Sequence, residues 1–117
     1  MSNLIETITM YRPIGKKEWQ LVQDSDCTKW PPRLPEQPIF YPVTNEKYAR
    51  EITCKWNIPD DGVGYVCRFA VTKSFAERYK IEQVGADYHT EWWIPAEDVD
   101  NLNENIVGKI ELVGEYH

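Results

Sequence analysis

The sequence predicts a single α+β domain over residues 1–117, with a mixed, mainly antiparallel sheet of about six short strands and roughly three or four short helices. Three observations lead there. Tyr65, Cys67, Phe69 and Val71 alternate with Val66, Arg68 and Ala70, the clearest strand in the chain. Tyr48, Ile52 and Trp56 recur at i, i+4 and i+8, one buried face of a helix from about Asn45 to Trp56. Strand and helix signals interleave, yet several connections are too short for the crossovers that parallel strands need. A length of 117 residues suits one domain, and 42% hydrophobic residues suffice for a core.

In chain order, residues 4–12 alternate loosely, Ile8, Met10 and Arg12 against Thr7, Thr9 and Tyr11, and Pro13 and Gly15 end the strand. Lys16 to Gln23 is a short helix burying Trp19, Leu21 or Val22, followed by a polar loop, Asp24 to Thr28. The segment WPPRLPEQPIFYPV, residues 30–43, then holds five of the eight prolines. Each proline locks φ, removes a donor and extends the residue before it, so residues 31–38 form a stiff rim. That rim is either a plain surface crossover or a cleft wall holding Trp30, Arg33, Gln37 and Tyr41 in place.

Pro42 limits the strand Pro38–Val43 to an edge or an end. Thr44 reads as an N-cap, Val43 and Tyr48 as a hydrophobic staple, and NIPDDGVG as a turn cluster. Thr72 caps a short helix that turns Phe75, Ala76 and Tyr79 inward. Lys80–Val84 and His89–Ile94 are further strands. Pro95 opens a helix with Val99, Leu102 and Ile106 as its inner stripe, and Ile110, Leu112, Gly114 and Tyr116 alternate as the last strand.

The net charge of −6 argues against a nucleic-acid partner, which calls for a basic face, and suits a cationic one. No segment is long and apolar enough for a membrane span, and the start lacks the basic and apolar regions of a secretory signal. Three cysteines without a C-x-x-C pair, and two histidines, predict reduced thiols in the cytoplasm and no metal site. Cys67 is placed inward by its strand, as a small core residue. Aromatics make up 13% of the chain, so some rings serve the core and others can line a ligand cleft.

No P-loop, dinucleotide glycine fingerprint or nucleophile elbow occurs. The candidate constellation is Arg12 on the first strand, Tyr41 on the proline strand and Glu91 on the HTEWW strand. Glu91 shares a face with His89 and Trp93, while Thr90, Trp92 and Ile94 point the other way. A carboxylate beside indole rings is costly to bury unpartnered, which makes Glu91 the candidate catalytic group. The plain alternatives are a strand-end charge for Arg12, a solvent-facing Glu91 and a surface His89.

The order MYRPIG, PPRLPEQPIFYPV-x4-YA, GYVCRF, EWWIPAEDV and NIVGKIEL resembles a family of small bacterial proteins often labelled "ADP-ribosylation/crystallin J1". The likeness covers nearly the whole chain, and the proline segment is its most specific part. More loosely, the layout is similar to the ADP-ribosyltransferase fold, whose pattern falls on Arg12, Tyr41 and Glu91. That resemblance implies NAD as cosubstrate, Arg12 gripping the nucleotide, Tyr41 stacking on nicotinamide, and Glu91 bonding the ribose and steadying an oxocarbenium-like transition state. The sequence thus leaves three expectations open. One is a ligand-binding or interaction module with an aromatic cleft, including an immunity-type protein that binds a basic toxin. Another is a transferase-like enzyme acting on NAD, and the last is an accessory subunit without a small ligand.

Overall fold

The computed structural model describes residues 5–117, so Leu4, at the start of the expected first strand, lies outside the described residues. The elements are β1 (Thr7–Ile14), α1 (Lys16–Asp24), β2 (Ile39–Phe40), α2 (Glu46–Ile52), a π-turn (Thr53–Asn57), α3 (Ile58–Asp61) and β3 (Gly64–Thr72). Then follow α4 (Lys73–Ala76), β4 (Ile81–Gln83), β5 (Thr90–Trp92), β6 (Ile94–Pro95), a 3₁₀ turn (Ala96–Asp98), α5 (Val99–Glu104) and β7 (Ile106–Tyr116). This is an α+β domain, and every strand pairing among the described residues is antiparallel.

The sheets have the orders β1-β3-β7, β2-β6 and β4-β5. Two single bridges, Tyr11↔Val43 and Val43↔Glu91, join them edge to edge. Strand alternation then decides which side chains meet. Met10 and Ile14 of β1 and Cys67, Phe69 and Val71 of β3 enter the main core with Trp30, Phe40, Trp92, Ile94, Val99 and Leu102, and Arg12 is buried on the same strand face. The opposite face carries a smaller cluster, Val43, Ala49 and Val66, with Tyr11, Tyr48 and Ile52 packed on it.

The helix after β2 departs from its expected face. Its deepest side chains are Ala49 and Thr53, both fully buried, whereas Trp56 is 68% exposed. The cause is the π-turn. An i→i+5 turn advances the helix differently from an i→i+4 turn, so Trp56 no longer lies beneath Ile52. The Thr53 hydroxyl, 3.3 Å from both the Tyr65 carbonyl and Asn57 Oδ1, fastens the turn to β3. Gly64 permits this approach, because a Cβ there would stand 2.7 Å from the Thr53 methyl. The cap is also one residue later than expected. Asn45 Oδ1 accepts the Tyr48 N–H at 2.8 Å, while the Thr44 hydroxyl pairs with that of Thr90.

The last strand loses its simple alternation. Ile110 is buried but Leu112 is 40% exposed although it stands opposite buried Cys67, and the β3–β7 ladder is interrupted by a register shift on either side of that pair. At α4 the expectation holds for Phe75 and Ala76, and the Tyr79 hydroxyl donates to Asp98 at 2.7 Å. The Thr72 hydroxyl caps nothing; it reaches Asn105 Oδ1 at 2.8 Å.

Candidate functional site

A cleft of about 500 Å³ opens where β1 and the proline strand part, lined by Arg12, Pro13, Tyr41, Ile52, Glu91 and Trp93. Its position follows from the backbone. Tyr11 and Val43 exchange both of their N–H···O bonds, at 2.9 and 2.7 Å. In antiparallel register the next such pair is Pro13 with Tyr41, and Pro13 has no N–H to give. The ladder therefore ends there and the sheet opens.

Register also fixes which side chains surround the opening. The Val43↔Glu91 bridge and the Phe40↔Ile94 pair share one register, which sets Tyr41 opposite Trp93. Tyr41, Val43, Glu91 and Trp93 thus occupy one face. Tyr41 is 42% exposed and Trp93 46% exposed. The Trp93 indole Nε1–H donates to Glu91 Oε1 at 3.2 Å, and Glu91 forms no ion pair among the described residues. The Tyr48 hydroxyl has its pKa raised, first by burial and then by the negative field of Glu91.

Arg12 borders this cleft, but its side chain leaves β1 on the other face. Its Nε and Nη2 donate to Glu18 at 2.6 and 3.0 Å, and its guanidinium lies 4.2 Å above the Phe40 ring. Arg12 thus borders the same cleft as Glu91 and Tyr41, as expected, but its charge is engaged in an internal, nearly buried ion pair. The chain turns at Gly15 from β1 into α1 and so brings Glu18 back to Arg12. A carboxylate six residues after an arginine across a turn was the only sequence signal for it.

Four other expected site residues lie elsewhere. Trp30 is 1% exposed in the main core, with its backbone clamped by Asn103, which accepts its N–H at 2.8 Å and donates to its carbonyl at 3.0 Å. The proline segment buries Trp30 because it turns inward before the rim begins. Arg33 bonds the Ile39 carbonyl at 3.2 Å, and its pKa is lowered by burial and by Arg12. Gln37 accepts the Leu34 N–H at 3.2 Å within the same loop. Arg33 and Gln37 line a separate hollow of about 220 Å³ against α1.

His89 stands beside the cleft's wall and is absent from its lining. Its Nδ1 accepts the Ala86 N–H at 3.1 Å, which leaves the Nε2–H to donate to Glu51 at 2.9 Å. Tyr48 stacks on the imidazole at 4.6 Å between centroids, and the Tyr88 hydroxyl also donates to Glu51. Those donors, Tyr88 first and His89 second, hold the Glu51 carboxylate below its ordinary pKa. The cluster latches the β4–β5 turn to α2. Sequence reasoning missed Glu51 and Tyr88, which carry no local pattern. It also assigned Ile52 to the core, where the structure has it half-buried at the cleft.

Among the described residues no group of His, Cys, Asp and Glu could hold a metal, and no helix is long and apolar enough to cross a membrane. No family model, curated protein or solved structure matches the chain.

Proposed function

We propose that the protein is a ligand-binding or interaction module whose binding site is the aromatic cleft. One observation carries this reading: two half-exposed rings, Tyr41 and Trp93, flank the Glu91 carboxylate in an opening of about 500 Å³. Sites for small molecules combine apolar walls with a few fixed polar groups at this size. Exposed rings on strands lose little entropy on binding. A thermal-shift screen with nucleotides and cationic compounds tests it, because a ligand of the folded state raises the melting midpoint. Trp93→Ala should abolish such a shift. Three unpaired thiols support a reducing, cytoplasmic setting.

A second reading has one observation in its favour, namely that Arg12, Tyr41 and Glu91 all border the cleft. On that reading the chain is a bacterial ADP-ribosyltransferase-like enzyme that cleaves NAD. It asks Arg12 to grip a nucleotide while bonded to Glu18, which is why it ranks second. Nicotinamide release from NAD that disappears in Glu91→Gln would move it to first place; no release by the parent protein would remove it.

A further inference from the structure

We propose that the cleft takes an organic cation, an alkylammonium or guanidinium group, with Glu91 as counter-ion and the Tyr41 and Trp93 rings as walls. The inference rests on the cleft being the binding site and names the chemistry of its ligand. Among the described residues, neither ring stacks on another aromatic and neither is covered by an internal cation. The other large rings mostly have such company: Trp30 sits 5.1 Å from Phe69, and Arg12 and Arg33 both approach Phe40. The π faces at the cleft carry negative quadrupoles and attract cations.

The carboxylate points to the same ligand. The internal partner seen for Glu91 is a neutral N–H from Trp93, which aims the carboxylate and ties it to one ring. A neutral apolar ligand would strip water from this charge and return nothing, a costly exchange. An anion would meet Glu91 directly, and the nearest guanidinium, Arg12, is already neutralised by Glu18 at 2.6 Å. Arg33 lines a different hollow. A cation alone satisfies both the rings and the carboxylate. The same chemistry is carried by a free ammonium compound and by the side chain of a basic peptide.

The test uses choline, Nα-acetylarginine amide and 3,3-dimethylbutan-1-ol, the neutral isostere of choline. Binding is followed at the Trp93 indole N–H resonance, assigned from the spectrum of Trp93→Phe. At least one cation should shift this resonance saturably. The neutral isostere should bind at least tenfold more weakly, equivalent to about 1.4 kcal/mol. Glu91→Gln keeps the acceptor for Trp93 and should lose a similar factor for the cation alone. Tyr41→Leu keeps apolar bulk, and should narrow the gap between choline and its isostere. Tighter binding by choline identifies a free ammonium ligand, and tighter binding by the arginine amide a chain-borne one; either supports the proposal. If the isostere binds within about twofold of the tighter cation, the cation chemistry is overturned while the cleft stands as a binding site. If neither cation moves the resonance, the cation proposal falls. The nucleotide arm of the thermal screen then decides separately whether the cleft binds anything.

Discussion

The two faces of the central sheet are built from the same alternating strands and end in opposite states. One face is packed with large rings: Trp30, Phe40, Phe69 and Trp92 are each at most 4% exposed. The other is covered by α2, on which Ala49 is fully buried and Tyr48 and Ile52 are half-buried. A small residue lets the helix sit close but covers little width. What lies past its edge, Tyr41, Glu91 and Trp93, remains open. Neighbours in sequence are divided in this way, with Trp92 4% and Trp93 46% exposed. The lesson is that ring content says nothing of function until the covering element is known. Here the helix's narrow footprint turns strand residues into a cleft.

The largest effect expected on this contrast comes from the packed face. Trp92→Ala should cost about 3–5 kcal/mol in urea unfolding, the usual range for deleting a buried aromatic. A loss below about 1 kcal/mol would mean that this face is not the core.

Next comes the charge inside that face. Glu18→Gln leaves the Arg12 guanidinium, 8% exposed, without its carboxylate. It should cost about 3 kcal/mol, while the double change Arg12→Met with Glu18→Met should recover most of it. Failure of the double change to recover stability would show that the pair contributes more than its mutual neutralisation.

Alkali should probe the same packing. Burial, helped by Glu18, pushes the Cys67 thiol up to about 12 from its ordinary 9.0. Burial and the bond to Asp98 push Tyr79 up to about 12 from 10.0. Between these values the folded protein keeps both protons and the unfolded chain releases them, so stability falls as pH rises. Below pH 9 both states are protonated at these groups and no dependence arises from them. The melting temperature should therefore drop from about pH 9 to 12, and Cys67→Ala should flatten the lower part of that slope. At pH 8 a thiol reagent should label exposed Cys54 at once and leave Cys67 untouched in the folded protein.

How much of this was legible in the sequence follows from which forces are local. The alternation of residues 65–71 predicted β3, because a strand with one apolar face records its burial in every second residue. The same parity separated Trp92 from Trp93 and grouped Glu91 with Trp93. Trp56 was misplaced because a π-turn leaves no periodic mark, and it depends on Thr53 meeting the distant Tyr65 carbonyl. The interruptions of β7 left no mark in the sequence because they belong to its pairing with β3 and not to β7 itself. The ion pair of Arg12 with Glu18 was not legible because that partner is supplied by an α-helix packing back after a turn, a three-dimensional fact.

Smaller effects belong to the thin face. Ile52→Ala should cost only about 1 kcal/mol, since the side chain is half-buried and the cleft beside it is already open to water. A loss of about 3 kcal/mol, as for a core aliphatic, would show that α2 covers more than its contacts indicate.

The smallest effect should be that of Trp93→Ala. The ring is nearly half exposed, no other aromatic stacks on it, and the hydrogen bond it makes is to a carboxylate that water can reach. Removing it deletes little buried area, and it frees Glu91 to be hydrated, which offsets part of the lost contact. The stability change should stay within about 0.5 kcal/mol, several-fold less than at the adjacent Trp92. Ligand binding at the cleft should nevertheless be lost. That pairing of outcomes separates the two faces: a residue of the packed face cannot be removed without unfolding cost, whereas a residue of the open face is removed at a cost to recognition alone. A loss above about 2 kcal/mol for Trp93→Ala would place this indole among the core rings, and the cleft would then be a flaw in packing with no exposed wall to offer a ligand.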